Sequence, residues 1–341
     1  TKAWNFDTDK VRENIMLYAK WIPVEYEITY ELDDGTNSDN NPAAYTVESA
    51  VTLEDPVKAG YRFLGWYTAA DDTGSKITEI PAGSSGARTL YARWEAVEQT
   101  YEIHHMLEIP DGSGYEREET VTAAALTGTT VSIGKEQSKA YTGFTFDESR
   151  LEDSTGVVPG EGTLVLKLYY SRNKYVVTFD SGIGADPEAQ SVPYQSFVTE
   201  PEKPSREGYT FTGWYVAAEN PGQWDFGDNM VTEDTRLIAG WTANTYNVTF
   251  DRQGGIGGDD NVLATYDSAM TGINVPACAG YQFLGYYDAA TGGKQYYNAD
   301  GNGTANWDKA GNGQESGTFT LYAHWKANSY QIAFAANSGE G

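Results

Sequence analysis

Residues that could perform acid–base or nucleophilic chemistry are few in this sequence. It contains three histidines, His104, His105 and His324, and a single cysteine, Cys278. Hydrolysis or group transfer needs a nucleophile beside a base, or two carboxylates that face each other across a cleft. His104 and His105 are adjacent in a strand-like stretch, so their side chains should point to opposite faces. The carboxylates are scattered through turns, and we therefore predict no catalytic residues and no enzyme activity in this segment.

Metal and cofactor chemistry has equally little support. Two polar loops, residues 111–114 and 298–303, carry oxygen ligands that Ca²⁺ would accept, but neither follows the full EF-hand spacing, and both have ordinary turn compositions. One cysteine and three histidines cannot build a disulfide framework or a zinc site within the chain. We predict no metal, no cofactor and a free Cys278 in a surface turn. A Lys–Asn isopeptide bond remains open at this level.

The elements that would have to position any site are repeats. The word Leu-Tyr-Ala-x-Trp occurs at residues 17–21, 90–94 and 321–325, and with Ile238 in place of Tyr at 237–241. The steps between its tryptophans are 73, 147 and 84 residues, so one further unit lies between Trp94 and Trp241. A period of this size indicates a tandem array of small domains.

Alternating strand-like openings give the same period independently. They begin at Tyr26, Tyr101, Tyr175, Tyr246 and Tyr330, which are 75, 74, 71 and 84 residues apart. The predicted organisation has six parts: 1–24, the C-terminal part of a repeat; four complete units, 25–98, 99–172, 173–243 and 244–327; and 328–341, the start of the next repeat. We expect the chain to be a segment of a longer array.

Each unit reads as a series of short strands with almost no helix. In the third unit, strands are predicted at 175–180, around 190–192, at 208–215, at 224–226 and at 237–241, and the stretch 201–208 could hold one helical turn. Glycines inside the third strand, such as Gly213, indicate a bulge or a close backbone approach. The fourth unit is extended by a Gly/Asn-rich insertion, residues 299–317, which is predicted to form a surface loop or extended hairpin.

Composition favours aromatic cores and an acidic surface. Aromatic residues make up 13% of the 341 residues, and the nine tryptophans all fall on repeat positions, which predicts a role in the core or in the joints between units rather than in sugar binding. The formal net charge of −26 argues against nucleic acid and anionic membranes as partners. At most six residues separate each closing aromatic residue from the next opening tyrosine. Units this close should form a semi-rigid, monomeric rod on the order of 110 to 130 Å long.

The repeated words resemble those of a known family. Residues 175–180, 204–215 and 321–325 carry the words Tyr-x-Val-Thr-Phe-Asp, Pro-x-x-x-Gly-Tyr-x-Phe-x-Gly-Trp-Tyr and Leu-Tyr-Ala-x-Trp. These are similar to the Listeria–Bacteroides repeat, also called the internalin B-type B-repeat, in three complete units and both flanking fragments. The second unit, 99–172, resembles the mucin-binding-protein-like repeats that are interspersed with it. Tyr286 in place of Trp and Ile238 in place of Tyr depart from the pattern.

The resemblance implies a mainly β fold, α+β at most, of tandem β-grasp-like modules in a large bacterial surface protein. The leading hypothesis is therefore a non-catalytic stalk or adhesive region, extracellular and attached to the cell wall of a Gram-positive bacterium through parts of the chain not present in the sequence. One alternative gives the modules their own affinity for host glycan, mucin or a surface protein. Another makes them a spacer within an extracellular enzyme. No membrane insertion is expected in this segment.

Overall fold

The computed structural model describes residues 2–218, 222–311 and 317–334, and it is built almost entirely of β-strands. The four predicted units, here called modules 1 to 4 (25–98, 99–172, 173–243 and 244–327), each contain one principal sheet. Modules 1 and 2 lie in one compact unit, residues 1–172, and modules 3 and 4 lie in a second one, residues 173–341. The fold is mainly β, as the sequence predicts.

Module 1 forms a five-stranded sheet and a small two-stranded sheet. Its strands are β1 (Tyr26–Glu31), β2 (Ala44–Tyr45), β3 (Val51–Thr52), β4 (Tyr61–Tyr67), β5 (Lys76–Ile77), β6 (Glu79–Ile80) and β7 (Arg88–Ala96). The principal sheet has the order β2-β1-β7-β4-β5, and β3 pairs with β6. β1 and β7 run parallel, whereas the other neighbours are antiparallel.

Module 2 keeps this strand order although its sequence differs. Its elements are β8 (Glu98–Glu108), β9 (Tyr115–Leu126), β10 (Thr130–Ser132), a 3₁₀ turn (Lys135–Gln137), β11 (Phe144–Phe146), β12 (Thr155–Val157) and β13 (Val165–Arg172). The sheet order is β11-β13-β8-β9, in which β8 and β13 are parallel, and β10 pairs with β12. The 3₁₀ turn is the only helical element among the described residues.

Modules 3 and 4 repeat the same arrangement. Their strands are β14 (Lys174–Asp180), β15 (Gln190–Pro193), β16 (Tyr209–Val216), β17 (Thr235–Ala243), β18 (Thr245–Asp251), β19 (Asn261–Thr265), β20 (Tyr281–Tyr287), β21 (Gln295–Tyr297) and β22 (Thr318–Ala327). The sheet orders are β15-β14-β17-β16 and β19-β18-β22-β20-β21. In every module the first and last strands are therefore parallel neighbours at the centre of the sheet.

The glycine inside the third strand marks a bulge, as its sequence position predicts. The register shifts between Phe63 and Gly65 in β4, and at the equivalent places in β16 and β20. Gly65 has φ of +139°, and a Cβ there would lie 2.3 Å from the Lys76 side chain. Any other residue at this position would be strained by the positive φ, and the Lys76 side chain would have to move aside.

Several local predictions are wrong. Residues 201–208 form no helical turn, and residues 224–226 form no strand, because Trp224 and Phe226 pack on the core from a loop. The Leu-Tyr-Ala-x-Trp word at 17–21 and the opening at Tyr330 are also not strands. In modules 1, 3 and 4 the equivalent first and last strands pair with each other. Residues 17–21 and 330–334 form no β pairing with any described residue. Residues 335–341 lie outside the described residues.

Candidate functional site

The two adjacent histidines of β8 do point to opposite faces of the sheet. His104 is partly exposed and its Nε2 lies 2.7 Å from a Glu102 carboxylate oxygen. His105 is only 1% exposed and its Nδ1 lies 2.7 Å from the Tyr170 hydroxyl. A substrate could not reach the His105 ring without opening the core, so this buried pair is structural.

The Tyr170 hydroxyl ties His105 to the loop that follows the 3₁₀ turn. It accepts the backbone N–H of Lys139 at 2.9 Å and shares a second hydrogen bond with the Nδ1 of His105. The Tyr141 ring packs edge-on against both rings and donates its hydroxyl to Glu119 at 3.0 Å. Burial lowers the pKa of His105, the charge of Lys139 lowers it further, and Glu119 opposes both effects. These effects favour the neutral form of His105.

His324 has a different role on the outer face of module 4. Its ring stacks on Tyr287 with centroids 4.0 Å apart, and its Nε2 lies 2.9 Å from the Ala289 carbonyl oxygen. The equivalent residue in module 1 is Arg93, whose guanidinium lies 3.9 Å from the centre of the Tyr67 ring. Both side chains cover a tyrosine on the sheet surface, which gives each a packing role.

The two polar loops adopt ordinary turns. The Asp111 carboxylate accepts the backbone N–H of Ser113 at 2.9 Å, and the Asn298 side chain accepts those of Asp300 and Asn302 at 3.0 and 2.9 Å. In residues 2–218, 222–311 and 317–334 no group of three or more His, Cys, Asp or Glu side chains is arranged to hold a metal ion. Cys278 is half-buried. It lies in a turn in which its own backbone carbonyl accepts the Tyr281 N–H at 3.1 Å.

Most of the tryptophans belong to the cores, as their repeat positions predict. Trp66, Trp214 and Trp307 are each 1–2% exposed. The closing tryptophans Trp94, Trp241 and Trp325 are half-buried, and each indole N–H donates to a loop carbonyl, of Leu32, Ser181 and Arg252 respectively, at 2.9–3.0 Å. Trp21 is the exception, with 88% exposure.

The insertion of module 4 is not simply a surface loop. Trp307 packs against Tyr296 and Phe319 at ring distances of 5.2 Å, and its backbone N–H donates to Ser268 at 3.0 Å. The described part of the insertion therefore completes the core. Residues 312–316 lie outside the described residues. The repeat position of Trp307 predicts its burial, but the residues around it were predicted to form a surface loop or extended hairpin.

The modules follow one another with very short linkers. Only one residue separates the last strand of a module from the first strand of the next: Val97, Asn173 and Asn244. The Val97 N–H donates to the Gly60 carbonyl of module 1 at 3.0 Å, and its carbonyl accepts the Thr127 N–H of module 2, also at 3.0 Å. The linker residue is thus hydrogen-bonded to both of its neighbours.

The joint between modules 3 and 4 repeats these bonds. The Asn244 N–H donates to Gly208 at 2.9 Å, and its carbonyl accepts the Tyr266 N–H at 2.9 Å. Its side chain also accepts a hydrogen bond from the Thr210 hydroxyl at 2.5 Å. The Tyr209 and Tyr266 rings, one from each module, pack edge to face at 5.6 Å.

Close packing at the glycines reinforces both joints. A Cβ at Gly60 would lie 2.5 Å from the Gly160 Cα, and one at Gly208 would lie 2.3 Å from the Tyr266 ring. Both glycines have positive φ, at +77° and +74°. The equivalent Gly280 of module 4 has φ of +83° with nothing within 4 Å of its Cβ position, and its carbonyl accepts the Asn328 N–H at 2.9 Å. The glycine carbonyl of module 4 thus accepts the N–H of a following residue, as the glycine carbonyls of modules 1 and 3 do.

Four sheets that share one strand order, with the same joint between modules 1 and 2 and between modules 3 and 4, define an array of small β modules. The family model of the Listeria-Bacteroides repeat domain matches residues 26–93, 175–240 and 246–324, which lie in modules 1, 3 and 4. The chain belongs to this family. The matched ranges do not include module 2, so its resemblance to mucin-binding-protein-like repeats stays a prediction.

Three relatives point to the same kind of protein. The chain is 30% identical over 334 residues to a protein of Evansella cellulosilytica named "Putative Gly-rich membrane protein", with 92% of this chain and 36% of the relative covered. It is 26% identical to a second "Putative membrane protein" of that organism, covering 93% and 46%. It is 35% identical over 186 residues to internalin H of Listeria monocytogenes, covering 54% and 30%.

The chain spans 30–46% of the length of these relatives. Among solved structures, the Bacillus anthracis TIE protein aligns with 89% of this chain and 74% of its own, at 11% identity and a TM-score of 0.29. No helix among the described residues has the length and apolar character needed to cross a bilayer. Together, the family and these relatives identify a repeat region of a surface-protein type.

Proposed function

We propose that this chain is a non-catalytic stalk region of a bacterial cell-surface protein, in which β-grasp-like modules project a more distal domain from the cell wall. The observation that carries the proposal is the one-residue joint, because a linker bonded on both sides restricts bending between its modules. The family membership and the internalin relative support an extracellular location. The strong negative charge favours solubility and disfavours association between copies.

Small-angle scattering tests the stalk directly. Four modules that each measure about 30 Å, held end to end, should give a maximum dimension on the order of 110 to 130 Å. A maximum dimension typical of a compact globule of the same mass would contradict the proposal.

The joint itself is tested by alanine substitutions at equivalent glycines. In Gly208→Ala the new Cβ would lie 2.3 Å from the Tyr266 ring, so the two modules must shift at this contact. The positive φ adds a strain of about 1–2 kcal/mol for any residue with a side chain. Gly280→Ala is the matched control, because it bears the φ strain with open space at its Cβ. We expect Gly208→Ala to increase hydrogen exchange at the Asn244 and Tyr266 amides and to broaden the scattering-derived distance distribution. Equal effects of both substitutions would show that the close contact between Gly208 and Tyr266 does not hold the joint.

A second candidate function is ligand binding by the modules themselves, and one cleft favours it. A cavity of about 550 Å³ lies beside the joint of modules 3 and 4, lined by Lys203, Arg206, Tyr209 and Trp241 among others. This volume is within the usual range for small-molecule sites. The lining combines aromatic rings with side chains of both charges, Glu207 among them, and such a lining suits a sugar. Binding to a glycan and mucin array, compared between the unaltered chain and Arg206→Ala, tests it. Binding that is saturable and lost in the variant would support adhesion.

A further inference from the structure

The first and last strands of every module are hydrogen-bonded to each other in parallel. β1 and β7 share four register pairs, from Ile28–Arg88 to Glu31–Tyr91. β14 and β17 also share four, β18 and β22 share five, and β8 and β13 share six. We call each of these pairs the terminal strand pair of its module.

This pairing decides how tension acts on a module. A pull on the chain enters at the N-terminal end of the first strand and leaves at the C-terminal end of the last strand. Because the two strands are parallel, those points lie at opposite ends of the pair. The strands are therefore pulled past each other along their length, and all of the inter-strand hydrogen bonds resist at once.

The joints deliver the tension to these pairs with little slack. The last strand of module 1 ends at Ala96 and the first strand of module 2 begins at Glu98. A single linker residue cannot absorb extension by uncoiling. Force on one module therefore passes directly to the terminal strand pair of the next.

Side chains extend some of the terminal strand pairs. In module 2, the Arg172 backbone N–H donates to the Glu108 carboxylate at 2.8 Å, and its Nε donates to the Glu108 carbonyl at 2.7 Å, just beyond the last register pair. In module 3, Arg236 of β17 forms an ion pair with Asp180 of β14 at 2.5 Å. These bonds also cross between the two strands that tension would slide.

We propose that the terminal strand pair is a mechanical clamp and that the array is a force-bearing tether. This inference deepens the stalk function and rests on it for its setting at a cell surface, where attachment under flow pulls on a protein from its two ends. It assigns the resistance to a specific set of backbone bonds and predicts a dependence on the direction of pulling that a simple spacer would not need.

Single-molecule force spectroscopy on the full chain tests the clamp. One version has handles at the two termini. The other carries Cys278→Ser, Glu27→Cys and Arg88→Cys, with handles on the two new cysteines. Glu27 and Arg88 are both exposed and lie at the same end of β1 and β7, so this pull separates the two strands one pair at a time. The two versions load the same bonds of module 1 in different directions.

The end-to-end pull should give four unfolding steps. Each should need at least about twice the force of the Glu27/Arg88 pull, because four or more pairs share the load in the first direction and one carries it in the second. Equal forces in both directions would overturn the proposal. Unchanged hydrogen exchange in the cysteine variant checks its fold. If exchange rises, handles at Thr29→Cys and Thr89→Cys, exposed register partners in the same pair, replace it.

The outcome is separable from that of the stalk proposal. A compact scattering profile with direction-dependent forces would refute the extended stalk and leave the clamp standing. An extended profile with direction-independent forces would refute the clamp alone.

Discussion

The Tyr170 hydroxyl is the most informative single group to remove from module 2. It bonds to the Nδ1 of His105 at 2.7 Å and accepts the Lys139 backbone N–H at 2.9 Å. Tyr170 is fully buried, at 0% exposure, and His105 is 1% exposed. Tyr170→Phe keeps the ring and its packing but removes both bonds.

The expected loss follows from what the substitution leaves behind. A buried polar group without a partner costs about 1–3 kcal/mol, and the ring nitrogen of His105 should bear most of that penalty. Lys139 is exposed, so water can solvate its N–H and reduce its share. We expect module 2 to lose about 2–3 kcal/mol of unfolding free energy, which is roughly a 30- to 150-fold increase in its open population.

Hydrogen exchange of the full chain, read by mass spectrometry on peptides from β8 and β13, measures this change. Tyr101→Phe is the matched control, since Tyr101 is half-buried against the same core and its hydroxyl forms no protein hydrogen bond among the described residues. It should change stability by less than about 0.5 kcal/mol. Module 2 contains no tryptophan, so tryptophan fluorescence should show the other modules unaltered. Equal effects of the two substitutions would refute the reasoning.

Two further predictions concern His105 in module 2 and Trp307 in module 4. His105 has a lowered pKa in the fold, so the unfolded state binds more protons below about pH 6.5, and the stability of module 2 should fall as pH drops through that value. In His105→Gln that slope between pH 6.5 and 5 should disappear from the exchange data, and its persistence would point to another group. Trp307→Ala should destabilise module 4 by about 3–5 kcal/mol, because Trp307 is 1% exposed against Tyr296 and Phe319. Unchanged exchange in β22 would mean that the insertion is only a loop.

Local patterns made much of the fold predictable. The alternating openings at Tyr26, Tyr101, Tyr175 and Tyr246 are all strands, and the bulge at the strand glycine follows from residue type alone. Burial of Trp66, Trp214 and Trp307 followed from their repeat positions, because a residue fixed by a period usually serves the shared core.

Long-range features were beyond the sequence. Nothing in the alternation of β1 or β7 says that they pair with each other in parallel, since that contact joins residues about sixty positions apart. Composition suggested a loop for the insertion because glycine and asparagine dominate it, yet one tryptophan anchors it. The joint was predicted to be short, but its bonds depend on which carbonyl and which amide the folded modules bring together.

The joint has a consequence for how such proteins change in length. Its bonds are made by backbone groups of one linker residue, a glycine and the residue after a strand, and they occur alike between modules 1 and 2 and between modules 3 and 4. Val97 and Asn244 serve equally as linkers, and the following module can have a quite different sequence. Duplication, loss or exchange of whole modules would therefore preserve joints of this kind. The length of such a protein could change in evolution by whole modules, with no need to redesign any of them.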